Sequence, residues 1–423
     1  MAQRAIPPFR ADHVGSLLRP ESIKDGYKQY HSNIISLEEY SEIQDMAIRE
    51  VIKLQEDVGL KSITDGEFRR ASYWSSFVER VEGLEVRDAL FTFQNENGHE
   101  QAFTAPHVVT KIRRTQSIAG DEYSFVKSCT SETPKITLPS PPSMHLWRLD
   151  EGIDASAYEG PEPFFEDLAK VFREEIASLA EAGAKYIQLD DVPLAMLCDN
   201  KIKERLQSLD MNPNQLLDDY IKLFNDSLTG IASSVTTAIH LCRGNYKGHY
   251  LSEGGYEEVA EKLFNNLEAD AFLLEYETPR AGDFEPLRHV PKNKMVVIGI
   301  VSSKLPTLES TDDLCNRIDE ASKFIDLEQL ALSPQCGFAS TVAGNPVTID
   351  IQKAKEAGAK DSAGKILEYK IILNSNIVIK DYLTNDEILN QDFSYSSTYE
   401  VQNLFSDTIE SENKSIDDLI NQT

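Results

Sequence analysis

Short apolar runs alternate with amphipathic segments along most of the chain. Met295–Val301 is continuously apolar, as expected of a strand that is covered on both faces. Leu37–Val58 repeats its apolar residues at the spacing of a helix. Such alternation is typical of parallel β/α units. Eight runs have strand character, and they begin near residues 12, 62, 135, 186, 235, 271, 295 and 330. Further helices are predicted near residues 163–182, 213–231, 256–267 and 312–325.

Eight parallel units over roughly 350 residues predict an α/β fold of the (β/α)₈ TIM-barrel type. An open doubly wound sheet is the alternative, but no Gly-x-Gly-x-x-Gly loop follows an early strand. The chain has 423 residues, which is enough for one large barrel or for two ordinary domains. We expect residues 1–383 to form a single catalytic barrel.

Two segments depart from the alternation. Residues from about 83 to 133 contain extended pieces such as Leu90-Phe-Thr-Phe, and they predict a hairpin-like insertion after the second strand. Residues 384–423 are rich in Asp, Glu, Asn and Ser. We expect them to form an acidic C-terminal extension, either docked on the barrel or partly disordered.

The formal net charge of −28 argues against nucleic acid or an anionic membrane as a partner, because phosphate binding requires surplus Lys and Arg. No apolar run approaches the roughly 20 residues that span a bilayer, and the N-terminus lacks the apolar segment of a signal peptide. We therefore expect a cytoplasmic protein, with homo-oligomerisation left open. In such a protein the five cysteines are better explained as metal ligands or buried thiols than as disulfides.

The strongest candidate chemistry lies at the end of the fifth predicted strand. His240 and Cys242 are two residues apart, so their side chains share one face of that strand. Glu275 and Cys336 end the sixth and eighth strands, and active sites of such barrels lie where strands end. The four side chains are a ligand set for Zn²⁺. Glu277 shares the face of Glu275 and is the alternative carboxylate ligand.

A zinc site of this kind predicts the activation of a thiol. A zinc-bound thiol loses its proton near neutral pH, whereas a free thiol is only a few per cent ionised at pH 7. Polar residues also end the other strands, and these further candidates are His13, Ser16, Asp65, Glu67, Asp190, Asp191, Ser302, Ser303 and Lys304.

Several motifs together resemble the zinc site of cobalamin-independent methionine synthase. They are His240-x-Cys242, Ala269-Asp-Ala-Phe-Leu-Leu-Glu275 and Ser333-Pro-Gln-Cys336-Gly. The resemblance is to the catalytic C-terminal barrel of that family and covers roughly residues 8–375. The opening Phe9-Arg-Ala-Asp-His-Val-Gly-Ser-Leu-Leu-Arg-Pro is similar to that of the short, single-barrel bacterial relatives.

The resemblance implies roles for four more residues. Ser16 matches the position that holds the carboxylate end of the substrate amino acid. Glu67 and Asp190 match two acids that meet the substrate amine, and two carboxylates around one ammonium are reasonable charge pairing. Trp147 matches the tryptophan that stacks on the pterin of the methyl donor.

One position departs from the family pattern. The catalytic histidine of the family falls after the seventh strand, and Lys304 takes its place in Gly299-Ile-Val-Ser-Ser-Lys304. A lysine donates a proton efficiently only if its pKa is lowered. The resemblance also covers only the catalytic half of the full-length enzyme. The methyl acceptor, homocysteine, is therefore better supported than a 5-methyltetrahydrofolate-type donor.

These observations predict a zinc-dependent S-methyltransferase that converts homocysteine to methionine. The donor is a methylfolate or another methylated molecule. Two alternatives remain open. One is alkyl transfer to a different small thiol at the same metal. The other is a catalytically inactive barrel with a binding or regulatory role, which the substituted histidine motivates.

Overall fold

The computed structural model describes residues 4–94, 97–98, 100–365, 369–380 and 387–399. Its strands are β1 (Ser62–Ile63), β2 (Val81–Asp88), β3 (Phe93–Gln94), β4 (Glu100–Gln101), β5 (Thr104–Arg114), β6 (Thr133–Pro139), β7 (Tyr186–Asp191), β8 (Thr236–Leu241), β9 (Ala271–Glu275), β10 (Met295–Val301), β11 (Leu330–Pro334), β12 (Tyr369–Lys380) and β13 (Glu387–Tyr399).

Its helices are α1 (Glu21–His31), α2 (Leu37–Val58), α3 (Ser75–Arg80), α4 (Gly120–Cys129), α5 (Pro161–Glu181), α6 (Pro193–Met196), α7 (Asn200–Ser208), α8 (Pro213–Leu228), α9 (Glu257–Asn266), α10 (Thr311–Ala321) and α11 (Ile349–Lys365). The five predicted helices are present as α2, α5, α8, α9 and α10. In the described part of the chain, no helix is long and apolar enough to cross a membrane.

Seven strands form one parallel sheet in the order β1-β6-β7-β8-β9-β10-β11. The prediction of an eighth strand from residue 12 is wrong: Ala11 makes a single parallel bridge to Leu332, and no longer strand is assigned there. The chain turns at Gly15, whose φ of +133° is the left-handed backbone that glycine favours. A Cβ on Gly15 would lie only 2.7 Å from Thr137 Cγ2.

The N-terminal segment nevertheless lies between the two ends of this sheet. The Asp12 amide donates to the Leu332 carbonyl on β11 (2.9 Å), and His13 Nε2 lies 3.0 Å from the Ser62 carbonyl on β1. The curled parallel sheet and these contacts are consistent with a TIM-like barrel.

Side chains of each strand alternate between two environments, as the two-residue period requires. Ala238, Ala271 and Leu273 belong to one small cluster with Val297 and Ala331, whereas Phe272 and Leu274 pack in the large cluster that includes helix residues. By the same two-residue period, His240 and Cys242 lie on the same face of their strand as Ala238, and Glu275 lies on the same face as Ala271 and Leu273.

The segment after β1 contains antiparallel pairs. β2 pairs with β5 and β3 pairs with β4, and they are followed by α4. Near the end of the described chain, β12 and β13 pair antiparallel from Tyr369↔Tyr399 to Lys380↔Glu387. The boundary predicted at residues 383/384 therefore falls between two paired strands. Residues 400–423 of the predicted extension lie outside the described residues.

Candidate metal centre and substrate cavity

Three of the predicted metal ligands come together at the strand ends. His240 is on β8, Cys242 is the first residue after β8, and Cys336 lies two residues beyond the end of β11. One nitrogen and two sulfurs of these residues all lie within 4.8 Å of one another, and the two sulfurs are 3.2 Å apart. All three side chains are buried. A nitrogen and two sulfurs from distant segments therefore face one small space.

The charges of the three groups depend on one another. The contact with Cys336, followed by burial, raises the pKa of Cys242 well above its usual value. The contact with Cys242, reinforced by His240, lowers the pKa of Cys336 well below its usual value. Although burial opposes it, the Cys336 sulfur raises the pKa of His240. One thiolate is thus favoured, and a second would require a cation between the sulfurs.

The histidine is oriented as a metal ligand requires. His240 Nδ1 lies 3.2 Å from the Leu273 carbonyl oxygen, which accepts a hydrogen bond from that nitrogen. Nε2 is buried and makes no hydrogen bond of ordinary geometry. A backbone carbonyl that fixes one ring nitrogen while the other keeps its lone pair is the usual support of a zinc-bound histidine. The residues present therefore fit Zn²⁺.

Glu275 lies beside this cluster but is not part of it. Its Oε2 accepts from the Arg243 amide at 2.9 Å, and its Oε1 is 3.4 Å from Arg280 and 3.9 Å from Lys304 Nζ. Although burial opposes it, Lys304 and Arg243 lower the pKa of Glu275. The alternative ligand Glu277 is half-buried and is hydrogen-bonded to Ser302.

The three predicted ligands line a cavity of about 610 Å³. The same cavity is lined by all four residues that were predicted to bind substrate, namely Ser16, Glu67, Asp190 and Trp147.

Two of the acids that line this cavity are the predicted amine-binding pair, Glu67 and Asp190, and Arg70 lies 3.7 Å from Glu67 Oε1. Glu67 has a φ of +61° and accepts from Thr137 Oγ1 at 2.9 Å, while its Oε2 is buried without a hydrogen-bond partner. Asp190 accepts from Gln188 at 2.6 Å. Burial, and then the charge of Glu67, raise the pKa of Asp190 to about 7. An ammonium group between the two carboxyl groups would stabilise both charged forms.

Ser16 and Gly337 approach each other closely beside Cys336. A Cβ on Gly337 would lie 1.9 Å from Ser16 Oγ, so only glycine fits here. The Ser16 carbonyl accepts from the Phe338 amide at 2.9 Å. Ser16 is therefore held next to the metal ligands.

Of the remaining predicted residues, Trp147 lines the cavity, whereas Lys304 and His13 do not. Trp147 is buried with its Nε1 unpartnered, and it meets Phe103 edge to face at 5.5 Å. Lys304 donates to the Gly244 carbonyl at 2.9 Å and is not among the residues that line the cavity. Burial, and then Lys135, lower the pKa of His13 to about 4, and His13 does not line the cavity.

The family described as “Cobalamin-independent synthase, Catalytic domain” matches residues 9–360. The chain belongs to this family. Two proteins of Bacillus subtilis (strain 168) are similar along most of their length. Uncharacterized protein YxjH is 35% identical over 361 residues, 85% of this chain and 95% of that protein. Uncharacterized protein YxjG is 37% identical over 366 residues, 84% of this chain and 93% of that protein.

A methionine synthase of Sulfurisphaera tokodaii is 25% identical over 335 residues, 79% of this chain and 87% of that protein. Among solved structures, the putative vitamin-B12 independent methionine synthase from Listeria monocytogenes has a TM-score of 0.67 and 30% identity, over 86% of this chain and 99% of that one. A B12-independent methionine synthase from Shewanella sp. W3-18-1, solved with selenomethionine, shares the fold with a TM-score of 0.65 at 21% identity, over 84% and 96% of the two chains.

For this member of the cobalamin-independent synthase family, sequence reasoning missed several cavity residues. Asn245 lines the cavity with its Oδ1 unpartnered, while its Nδ2 donates to the Gly337 carbonyl at 2.7 Å. Its place three residues after Cys242 was an available signal. Tyr73, Phe93 and Phe103 also line the cavity. No motif indicated them, because their position depends on how the chain around β2 to β5 folds over the sheet.

Proposed function

We propose that the chain is a zinc-dependent methyltransferase that methylates the thiol of homocysteine and produces methionine. One observation carries the proposal: the nitrogen and two sulfurs of His240, Cys242 and Cys336 line the same cavity as Glu67 and Asp190. A thiol-activating site therefore lies beside a site for an ammonium group. Homocysteine carries both groups on one short chain.

The acceptor is oriented by residues of the cavity. Its ammonium binds between Glu67 and Asp190, where one carboxylate oxygen is unpartnered and the neighbouring acid has a pKa raised to about 7. Its carboxylate end is held near Ser16, beside Gly337 and Cys336. With the ammonium and the carboxylate on its Cα held, the side chain directs its sulfur toward His240, Cys242 and Cys336, which line the same cavity. Such positioning supplies much of the acceleration of a two-substrate reaction.

His240, Cys242 and Cys336 would hold the metal, and we propose Glu275 as the fourth ligand. It is buried on the adjoining strand, and Arg243, whose amide it accepts from, directly follows Cys242. When bound, zinc lowers the pKa of a coordinated thiol, so that a nucleophilic thiolate persists at neutral pH. Lys304 bridges the Gly244 carbonyl and the Glu275 carboxylate, which suits a positioning role better than proton donation.

We also propose that residues 1–383 form one (β/α)₈ unit in which the segment around Ala11 stands in place of the first strand. The support is the pair of contacts that this segment makes with β11 and β1. Limited proteolysis of the full chain should then leave the segment around Ala11 and the seven parallel strands in one resistant fragment.

The acceptor is tested by isothermal titration of the zinc-loaded protein with three thiols: homocysteine, cysteine, and 4-mercaptobutyrate, which lacks the amine. We expect homocysteine to bind at least about tenfold more tightly than 4-mercaptobutyrate, since a charged hydrogen bond is worth roughly 1.5–3 kcal/mol. Cysteine should also bind more weakly, because its side chain is one methylene too short to bring its sulfur to the metal while its amine is held. Equal binding of all three thiols would instead favour alkyl transfer to other thiols. No thiol binding to the zinc-loaded protein would favour an inactive barrel.

A further inference from the structure

A continuous row of aromatic rings lines the substrate cavity. Trp147 meets Phe103 at 5.5 Å between ring centroids, Phe103 meets Phe93 at 4.9 Å, and Phe93 meets Tyr246 at 5.4 Å. All four residues line the cavity. We call this row the aromatic wall. It is attached to the barrel, because Gln94 and Tyr250 exchange backbone hydrogen bonds of 2.7 and 2.8 Å. The row therefore has a fixed place in the site.

The charged residues of this cavity are acidic. Glu67, Glu79, Asp190 and Asp191 line it, and none of its described lining residues is Lys or Arg. The unpartnered Oδ1 of Asn245 adds a further negative dipole end. The whole chain has a formal net charge of −28, which attracts cations and repels polyanions.

Two lysines come near the cavity, and both are engaged. Lys304 Nζ donates to the Gly244 carbonyl and lies 3.9 Å from Glu275. Lys247 is exposed, and its Nζ lies 5.2 Å from the centroid of the Tyr246 ring. The Tyr246 ring of the aromatic wall therefore already has a cation, the Lys247 ammonium group, over its face.

We infer that the methyl donor is a cationic onium compound, with a sulfonium or quaternary ammonium centre, held against the aromatic wall. The inference rests on the proposed function, since it names the second substrate of that site. Aromatic faces attract such cations, and aromatic cages are a common means of recognising them. A methylfolate presents a carboxylate-bearing tail instead, and none of the described residues that line the cavity is a Lys or Arg that could pair with that tail.

The transfer step balances without a proton donor. The homocysteine thiolate attacks the methyl carbon, a new sulfur–carbon bond forms, and the bond from carbon to the onium sulfur or nitrogen breaks. The electron pair of that bond stays on the leaving atom. The positive charge of the donor and the negative charge of the thiolate cancel, and the products are methionine and a neutral sulfide or amine. A folate nitrogen would instead need protonation, and Lys304 Nζ is engaged by the Gly244 carbonyl and by Glu275 and does not line the described cavity.

The activity test offers different donors to the zinc-loaded full chain with homocysteine, and methionine is measured by mass spectrometry. The donors are S-methylmethionine, glycine betaine, and 5-methyltetrahydrofolate as its mono- and triglutamate. We expect at least one onium donor to be used at least about tenfold faster than either folate. The sulfonium and ammonium arms show which centre is accepted. Faster turnover with a folate would overturn the inference and leave the proposed function standing.

A binding test does not depend on turnover. Both tryptophans of the chain, Trp74 and Trp147, line the cavity, so intrinsic fluorescence reports on its occupancy. The probes are choline and its neutral isostere 3,3-dimethylbutan-1-ol. We expect choline to bind about tenfold more tightly because of its charge. Equal affinity of the two probes contradicts the inference.

Matched variants test whether choline binds in the cavity. Glu79→Lys places a cation at the cavity, whereas Glu50→Lys makes the same change on the exposed face of α2. We expect E79K to weaken choline binding severalfold and E50K to leave it unchanged. Trp147→Phe should retain most of the affinity, and Trp147→Leu should lose about tenfold.

The two proposals fail in different ways. If homocysteine does not bind the zinc-loaded protein, the proposed function fails. If homocysteine binds but no onium donor yields methionine, the inference on the donor is wrong.

Discussion

The sulfur atoms of Cys242 and Cys336 lie 3.2 Å apart, although the two cysteines are separated by 94 positions in the chain. Both are free thiols, and His240 completes the group within 4.8 Å. Two thiolates at this distance repel each other strongly, so a cation that binds both should be bound tightly. The relationship leads directly to a test of the metal site.

Replacing Cys336 with serine should remove zinc from the protein. Loss of an outer-shell partner alone commonly weakens zinc binding 10–100-fold, so we expect the loss of a sulfur ligand to weaken it by more than about 100-fold. Zinc per chain is measured by mass spectrometry after dialysis against a competing chelator. Cys129→Ser serves as the control, because Cys129 lies outside the cluster beside Arg49. Full zinc in C336S would contradict the proposed site.

Glu67→Gln should weaken homocysteine binding about 10–100-fold, because a charged hydrogen bond to the ammonium is replaced by a neutral one. The measurement is the dissociation constant of the zinc-loaded protein by calorimetry. An internal control uses 4-mercaptobutyrate, which has no amine and whose binding should change little. A similar loss for both ligands would show that the substitution disturbs the site in general, for example through Arg70, which lies 3.7 Å from Glu67 Oε1.

Asp190→Asn should stabilise the metal-free protein at neutral pH. Burial raises the pKa of Asp190 from 3.8 to about 7, so the native carboxyl keeps its proton where the unfolded one has lost it. The unfolded state then binds fewer protons, and the free energy of unfolding falls as pH rises from about 4 to 7. Asp190→Asn removes the titrating group, so its free energy of unfolding at pH 7 should exceed that of the parent protein by on the order of 2 kcal/mol.

Urea unfolding at pH 4.5 and pH 7 checks this, and the gain should be smaller at the lower pH. Asp150→Asn is the control: Asp150 is 62% exposed, and the bond to His145 lowers its pKa rather than raising it. A D190N variant that is less stable than the parent at pH 7 would show that the charged form is the one stabilised in the absence of ligand.

The buried pair of Asp12 and Lys135 should be a main stabilising contact of the N-terminal segment. Asp12 Oδ1 lies 3.1 Å from Lys135 Nζ with both side chains fully buried, and Asp12 Oδ2 accepts from Tyr186 at 2.8 Å. Lys135→Met leaves a buried unpaired carboxylate and should cost about 3–5 kcal/mol of unfolding free energy.

The double variant with Asp12→Asn should recover part of that loss, which urea unfolding measures. Lys53→Met, which breaks the exposed pair with Asp57 on α2, should change stability by less than about 1 kcal/mol. A K135M variant as stable as K53M would contradict a main stabilising role for the pair of Asp12 and Lys135.

Local patterns of the sequence determined most of the element types. α2 begins and ends at the predicted residues because local signals set both ends. Ser36 and Glu39 form a capping box at its start, and Gly59 adopts a φ of 92° at its end. Continuous apolar runs indicated the central parallel strands, since only strands covered on both faces tolerate them. The period of two placed His240 and Cys242 on one face.

The tertiary structure alone decided the rest, because those features depend on residues distant in the chain. The segment after Ala11 looked like a strand by composition, but Gly15 turns it away from the sheet. The separation of Cys242 and Cys336 in the sequence does not predict the 3.2 Å distance between their sulfurs, which arises because the ends of β8 and β11 converge although β9 and β10 lie between them in the sheet. The tertiary structure also brought the Arg243 amide and Lys304 to the carboxylate of Glu275, the proposed fourth ligand, although both are distant from Glu275 in the sequence. The aromatic wall of the cavity likewise arises only when the chain around β3 and β4 meets the loop after β8.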